Sequence, residues 1–131
     1  MLNLSMRIRR PELMDDLYGS TGELGRALQA LARVNTLSMS AYFLSNAIMQ
    51  LLGSEERNIR ILDLGSGRGD LLCSVKERLQ KFGLKVEAVG IDMNPNSVEL
   101  AARYANARRC SARFVTIKAI DALKNFEYDV V

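Results

Sequence analysis

A chain of 131 residues, 48% hydrophobic and 25% charged, holds one modest core and has the composition of an ordinary globular domain. It has no histidine and only two cysteines, Cys73 and Cys110, with no C-x-x-C pair; this argues against a zinc site, a histidine-based triad or a disulfide framework, and fits a reducing cytoplasm. The net charge is +3, with its excess beyond Asn58 and no basic run interleaved with aromatics, so nucleic acid is not indicated; the longest apolar stretch, 41–52, contains Ser45, Asn46 and Gln50 and is too short for a bilayer.

Leu2, Leu4, Met6 and Ile8 alternate, as in a short strand or an extended arm, and Pro11 suits a first helical turn with Glu12, Asp15 and Asp16 at its positive end. Ser20 and Glu23 have capping-box spacing. Leu24, Ala27, Leu28, Leu31 and Val34 then recur at helical intervals. A second helix is predicted over 38–52, with Leu44, Ile48, Leu51 and Leu52 on its buried side and Gly53 as its stop. Residues 1–58 thus read as an arm and a helical cap. Met39, Tyr42, Phe43 and Met49 are open to two readings, the wall of an apolar pocket or plain helix packing.

Ile59, Ile61, Leu62 and Leu64 form an apolar run of the kind that makes a buried parallel strand. Gly65, Gly67 and Gly69 follow at alternate positions, and a helical pattern begins at Asp70. On that helix Leu72, Val75, Leu79 and Phe82 share one face, Glu77 and Lys81 are spaced as an i,i+4 pair, and Cys73 is a core candidate. Gly83 ends it. Residues 85–91 read as a second strand with Asp92 at its carboxyl end. Asn94 and Pro95 start a helix whose inner face is Val98, Ala101, Ala102 and Ala105. A third strand is predicted over 112–118, Asp121 in a loop after it, and a fourth strand over 126–131. Strand and helix alternate, so the fold class is α/β: a partial Rossmann-like parallel sheet of about four strands in 59–131, with the helical cap before it. Ligands of such sheets sit across the carboxyl ends of the strands, where the glycine turn, Asp92 and Asp121 converge.

The turn is G-x-G-x-G and not the G-x-G-x-x-G of dinucleotide sites. Asp63 and Asp70 flank it, and a pyrophosphate would meet that negative charge, whereas a cationic or ammonium-bearing ligand suits it. Asp92, 27 residues beyond Gly65, is placed to accept hydrogen bonds from two ribose hydroxyls. Nicotinamide-dependent enzymes use an acid there too, so Asp92 alone does not choose the cofactor.

The segment ILDLGSGRGDL over 61–71, followed by Asp92, Asn94-Pro95, Asp121 and YDVV over 128–131, resembles the class I S-adenosylmethionine-dependent methyltransferases, and RRPELMDD over 9–16 resembles the start of some bacterial small-molecule members. The resemblance covers 59–131. It implies S-adenosyl-L-methionine as cofactor, with Asp63, Gly65, Ser66 and Gly67 near its methionine part, Gly69 closing the turn, and Asp92 on the ribose. It implies Asp121 at the adenine amino group, flanked by Ile120 and Ala122. Met93 is either an adenine contact, since thioethers favour aromatic faces, or a core residue. Asp63 either faces the ammonium or only braces the turn. The implied reaction is methyl transfer to a small organic acceptor, in a cytoplasmic protein. The family pattern continues past the fourth strand, so the expectation is the N-terminal portion of a longer enzyme, carrying mainly the cofactor half-site and inactive alone. The alternatives are an NAD(P)-dependent oxidoreductase, an aminopropyltransferase, or a non-catalytic nucleotide-binding module.

Overall fold

The structure is a computed structural model that describes residues 21–37, 39–53 and 58–131. The expectations for 1–20, including the alternating arm, the Pro11 helix and the Ser20 cap, lie outside the described residues. The elements are α1 (Thr21–Leu37), α2 (Ser40–Leu52), β1 (Asn58–Leu64), α3 (Asp70–Lys81), β2 (Lys85–Asp92), α4 (Pro95–Ala107), β3 (Arg113–Thr116) and α5 (Ala119–Asn125).

The sheet is parallel, in the order β1-β2-β3. Ile61 pairs with Ala88 and Leu64 with Ile91 across β1 and β2, and Asp92 pairs with Thr116 across β2 and β3. After α5 the chain crosses to the other side of β1, where Val130 bridges Ile61. That reversal at β1 is a topological switch point, and in such sheets the ligand crevice lies outside the carboxyl ends of the strands there. The α/β class and the parallel sheet are those of a Rossmann-like fold. Where a fourth strand was expected over 126–131, pairing is confined to the bonds of Asp129 and Val130 with Arg60 and Leu62. Phe126 is still tied to α5, its N–H donating to the Ala122 carbonyl at 3.0 Å, so the segment has little length left for a ladder.

Two apolar clusters hold the sheet. Ile48, Ile59, Ile61, Leu72, Val75, Leu79, Leu84, Val86 and Ala88 fill one, with α2 and α3 covering β1 and β2. Leu62, Ile91 and Ala122 centre the other, under α5. The α3 reading is corrected at its end: Phe82 is the C-cap and lies exposed. Cys73 is buried, as expected, and Lys76 joins the buried stripe. Lys76 reaches through the core to donate to the Val86 carbonyl at 2.6 Å. Glu77 pairs not with Lys81 but with Arg108 beyond α4, at 2.7 Å. On α4 the inward positions are Ser97, Ala101 and Ala105, and Ala102 faces out.

The largest correction concerns α2. Ile48 is buried and Leu52 packs half-buried against the core, as expected, but Leu44 and Leu51 are exposed and Ser45 is buried. A helix without a charged residue offers apolar side chains on every face, so periodicity could not single out the inward one. Arg78 of α3 decides it. The Ser45 hydroxyl donates to the Ala41 carbonyl at 2.7 Å and accepts from Arg78 Nε at 2.9 Å, while the guanidinium lies 4.8 Å from the centre of the Tyr42 ring. Gly53 closes α2 at φ 68°, as expected.

Candidate cofactor site

The turn between β1 and α3 is fixed by the strand beside it. The Ile91 carbonyl accepts the N–H groups of Gly65 and Ser66, at 2.9 and 2.8 Å. Asp92 then takes the next one: its Oδ2 accepts from Gly67 N–H at 3.1 Å and its Oδ1 from Asn94 N–H at 2.8 Å. One carboxylate therefore joins the glycine turn to the start of α4. Asn94 continues the chain of bonds, its side chain accepting from Asn96 N–H as an N-cap before Pro95. Each Asp92 oxygen has two acceptor positions, so capacity remains for ligand hydroxyls.

The third glycine has a steric cause that lies outside the turn. A Cβ on Gly69 would stand 2.4 Å from Phe114 Cζ, and one on Gly90 of β2 would stand 2.6 Å from Phe114 Cε1 and 2.8 Å from Ser66 Cβ. The Phe114 ring thus fills a slot that two glycines leave open. Gly69 also sits at φ 78°, which an L side chain rarely adopts. Gly90 and Phe114 were not among the candidates. A glycine inside an apolar strand was the available signal, since it marks close approach of another group.

Asp63 leaves β1 toward the same crevice. Burial raises its pKa above the usual carboxylate range, and the nearby Asp92 carboxylate raises it further. No hydrogen bond to its carboxylate is present among the described residues. Two acids together, one of them half-buried and without a donor, give the crevice a negative potential that a cation would relieve. Three turn amides are meanwhile consumed by Ile91 and Asp92, so they do not form a nest for a phosphate group. This donor and charge pattern fits an ammonium- and sulfonium-bearing ligand with a ribose.

The remaining candidates divide. Met93 and Ile120 are exposed, at 52% and 60%. Asp121 stands in the first turn of α5 and not in a loop, because the Lys118 carbonyl accepts from both Asp121 and Ala122 N–H. The Ala122 side chain is turned away from the crevice into the core beside Leu62 and Ile91. The structure brings Asp63, Gly65, Ser66, Gly67, Gly69 and Asp92 into one constellation. Met93, Ile120 and Asp121 follow the ends of β2 and β3 on the same side of the sheet. The Ser66 hydroxyl is buried without a partner.

The sequence model of the methyltransferase-domain family matches residues 55–131, more than half of the chain. The chain belongs to this methyltransferase family. It is 39% identical over 69 residues to demethylmenaquinone methyltransferase of Thermus thermophilus, covering 53% of this chain and 30% of that protein. It is 34% identical over 84 residues to the enzyme of the same name from Deinococcus radiodurans, covering 64% and 32%. The chain thus spans about a third of the length of the curated relatives it matches. Among solved structures it is similar to the plantazolicin methyltransferase BpumL, in complex with a monoazolic desmethylPZN analog and S-adenosylhomocysteine. The TM-score is 0.52 at 20% identity, with 79% of this chain and 37% of that one covered, which is a likeness of fold.

Proposed function

We propose that the chain supplies the S-adenosylmethionine-binding half of an enzyme that transfers a methyl group to a small organic acceptor. The observation that carries this reading is the Asp63–Asp92 carboxylate pair beside a glycine turn whose amides are already bonded within the protein. Asp92 would hold the ribose hydroxyls, Asp63 the methionine ammonium, and Gly65, Ser66 and Gly67 the backbone along the methionine part. Asp121 would meet the adenine amino group, with Met93 and Ile120 against the ring and Ala122 setting the α5 turn from the core. The bound cofactor supplies an activated methyl on a sulfonium, which an acceptor nucleophile displaces to leave S-adenosylhomocysteine. The chain's own part is positioning and charge.

The names of the curated relatives, which specify a demethylmenaquinone acceptor, support a small organic molecule here. The start of the family match at residue 55 supports treating 1–58 as a cap and 59–131 as the cofactor unit. No helix among the described residues is long and apolar enough to cross a membrane, which is compatible with the cytoplasmic location we favour.

The test is an amide NMR titration of the isotopically labelled chain with S-adenosylhomocysteine, and with NAD as the comparison. Shifts at Gly65–Gly69, Asp92 and Asp121 with S-adenosylhomocysteine alone are expected. Asp92→Ala should weaken that binding by about tenfold or more, the loss of a charged acceptor for two hydroxyls. Shifts with NAD alone would overturn the reading in favour of an oxidoreductase.

A further inference from the structure

The crevice is not the only concavity of the molecule. A cleft of about 490 Å³ lies between α1, α2, α3 and α4, lined by Gln29, Arg33, Arg68, Asp70, Tyr104 and Arg108 among others. A second, of about 430 Å³, lies between α1 and α4 and adds Arg26 and Arg103. The two share Gln29, Arg68 and Tyr104 and so adjoin, making one trench along α1 and α4.

Its charge is one-sided. Among the described residues five arginines line it against one carboxylate, Asp70. Arg103 and Arg108 are paired with Glu99 and Glu77, acids that do not line either cleft. Arg68 is held loosely, 3.9 Å from Asp70. Arg26 and Arg33 have no acidic partner among the described residues. They are seven residues apart on α1, which puts them on one face about 10 Å apart along the helix. Tyr104 organises the centre: Arg68 lies 5.0 Å and Arg108 5.6 Å from the centre of its ring, and Arg108 Nη1 donates to its hydroxyl at 2.7 Å. Asp70 and Glu77 lie beside the two guanidinium groups on this ring, so the charge left over along the trench is that of Arg26 and Arg33.

From this arrangement we propose that the trench is a binding site for a small molecule bearing two or more phosphate groups, separate from the cofactor crevice. Guanidinium forks match phosphate oxygens in pairs, and unbalanced arginines spread along a trench suit several charges in a row. The same geometry argues against a nucleic-acid strand. Tyr104, the one aromatic side chain among the described residues that line the two clefts, already carries two arginines, and stacking of successive bases needs more than one such ring.

Calorimetric titration of the intact chain with inorganic tripolyphosphate tests it. Saturable binding with one site is expected. Arg26→Gln with Arg33→Gln should weaken it by about tenfold or more, while Lys81→Gln with Lys85→Gln, which removes equal charge elsewhere, leaves it within about twofold. Circular dichroism melts of both double variants confirm that they fold, as expected for exposed positions. Absence of saturable binding, or equal loss in the two double variants, would overturn the proposal. So would tighter binding of an RNA oligomer of matched charge with a steep salt dependence, which would move the trench to nucleic acid.

Discussion

The glycine turn and α2 are both positions where the fold makes a choice, and they make it by different means. At the turn the choice is made by the backbone. Ile91 and Asp92 take three successive N–H groups, and Phe114 leaves no room for a Cβ at Gly69 or Gly90. At α2 it is made by side chains alone, and the helix offers several equivalent ones. Ser45 and Ile48 go inward because Arg78 and the β1–α3 core meet them there, while Phe43 and Leu51 remain 65% and 82% exposed. Backbone constraints leave signs in the sequence, because few residues satisfy them. Side-chain packing among equivalent apolar residues leaves almost none.

The largest effect should follow from breaking the backbone choice. Gly69→Ala places a methyl on the Phe114 ring and forces an L residue to positive φ, which together should cost roughly 2–4 kcal/mol. Gly90→Ala, with ordinary backbone, should cost about 1–3 kcal/mol from overpacking alone. Urea unfolding measures both. Adding Phe114→Leu should recover part of each loss, because Ser66 Cβ still crowds position 90 and the positive φ persists at position 69. Full recovery at Gly69 would mean that backbone conformation contributes nothing there.

Side-chain choice at α2 is tested by truncating one inward and one outward residue. Ile48→Ala should destabilise by about 3 kcal/mol, the transfer and cavity cost of a buried aliphatic chain. Leu51→Ala should stay within about 0.5 kcal/mol. A reversed order would show that α2 packs through the side that carries Leu44 and Leu51.

The same contrast explains how much was legible. Strands β1 and β2, the turn, the α3 start, the Asn94-Pro95 cap and the placement of Asp92 could be read from residue types, since glycine, proline, a capping amide and an apolar run each have few physical uses. Asp63 could be identified as an acid near the turn. Its lack of donors could not, because that depends on which groups Asp92 and Ile91 engage. Asp121 was read as a loop residue because Ala119–Asn125 is too short to show a period. Glu77 finds Arg108, 31 residues on, and no local spacing rule reaches that far. Gly90 was visible but unexplained until Phe114 was placed against it.

A smaller effect separates the two carboxylates of the crevice. The pKa of Asp63 is raised in the folded protein, so the folded state holds that proton more tightly than the unfolded one. Its contribution to stability therefore falls as pH rises from the ordinary carboxylate range through the raised value. Asp63→Asn should accordingly raise the melting temperature of the ligand-free chain at pH 7.5. If Asp63 faces the cofactor ammonium, ionisation favours binding. Affinity for S-adenosylhomocysteine should then fall as pH drops through the raised pKa, and in Asp63→Asn it should be weaker and nearly flat with pH. Calorimetry at pH 5 and 7.5 distinguishes this from bracing of the turn, which would lower the melting temperature of the variant instead.

The smallest effect belongs to the far edge of β1, where side chains assist a backbone contact. Asp129 accepts from Arg60 three times, from its N–H at 2.7 Å, Nε at 3.2 Å and Nη2 at 2.9 Å, and Glu127 also pairs with Arg60. These bonds hold Val130 against Ile61 and lower the Asp129 pKa. A lowered folded pKa means stability that is present above the unfolded value and lost as pH falls through the folded one. Asp129→Asn should therefore lower the melting temperature slightly at pH 7, and the gap from the parent should narrow as pH falls through the lowered pKa. The effect is small because the guanidinium is exposed and water competes for both partners. Absence of a gap at pH 7 would assign the contact to the Arg60 N–H bond, which an asparagine oxygen can also accept, and not to charge. The Val130 bridge would then be held as the glycine turn is held, by the backbone.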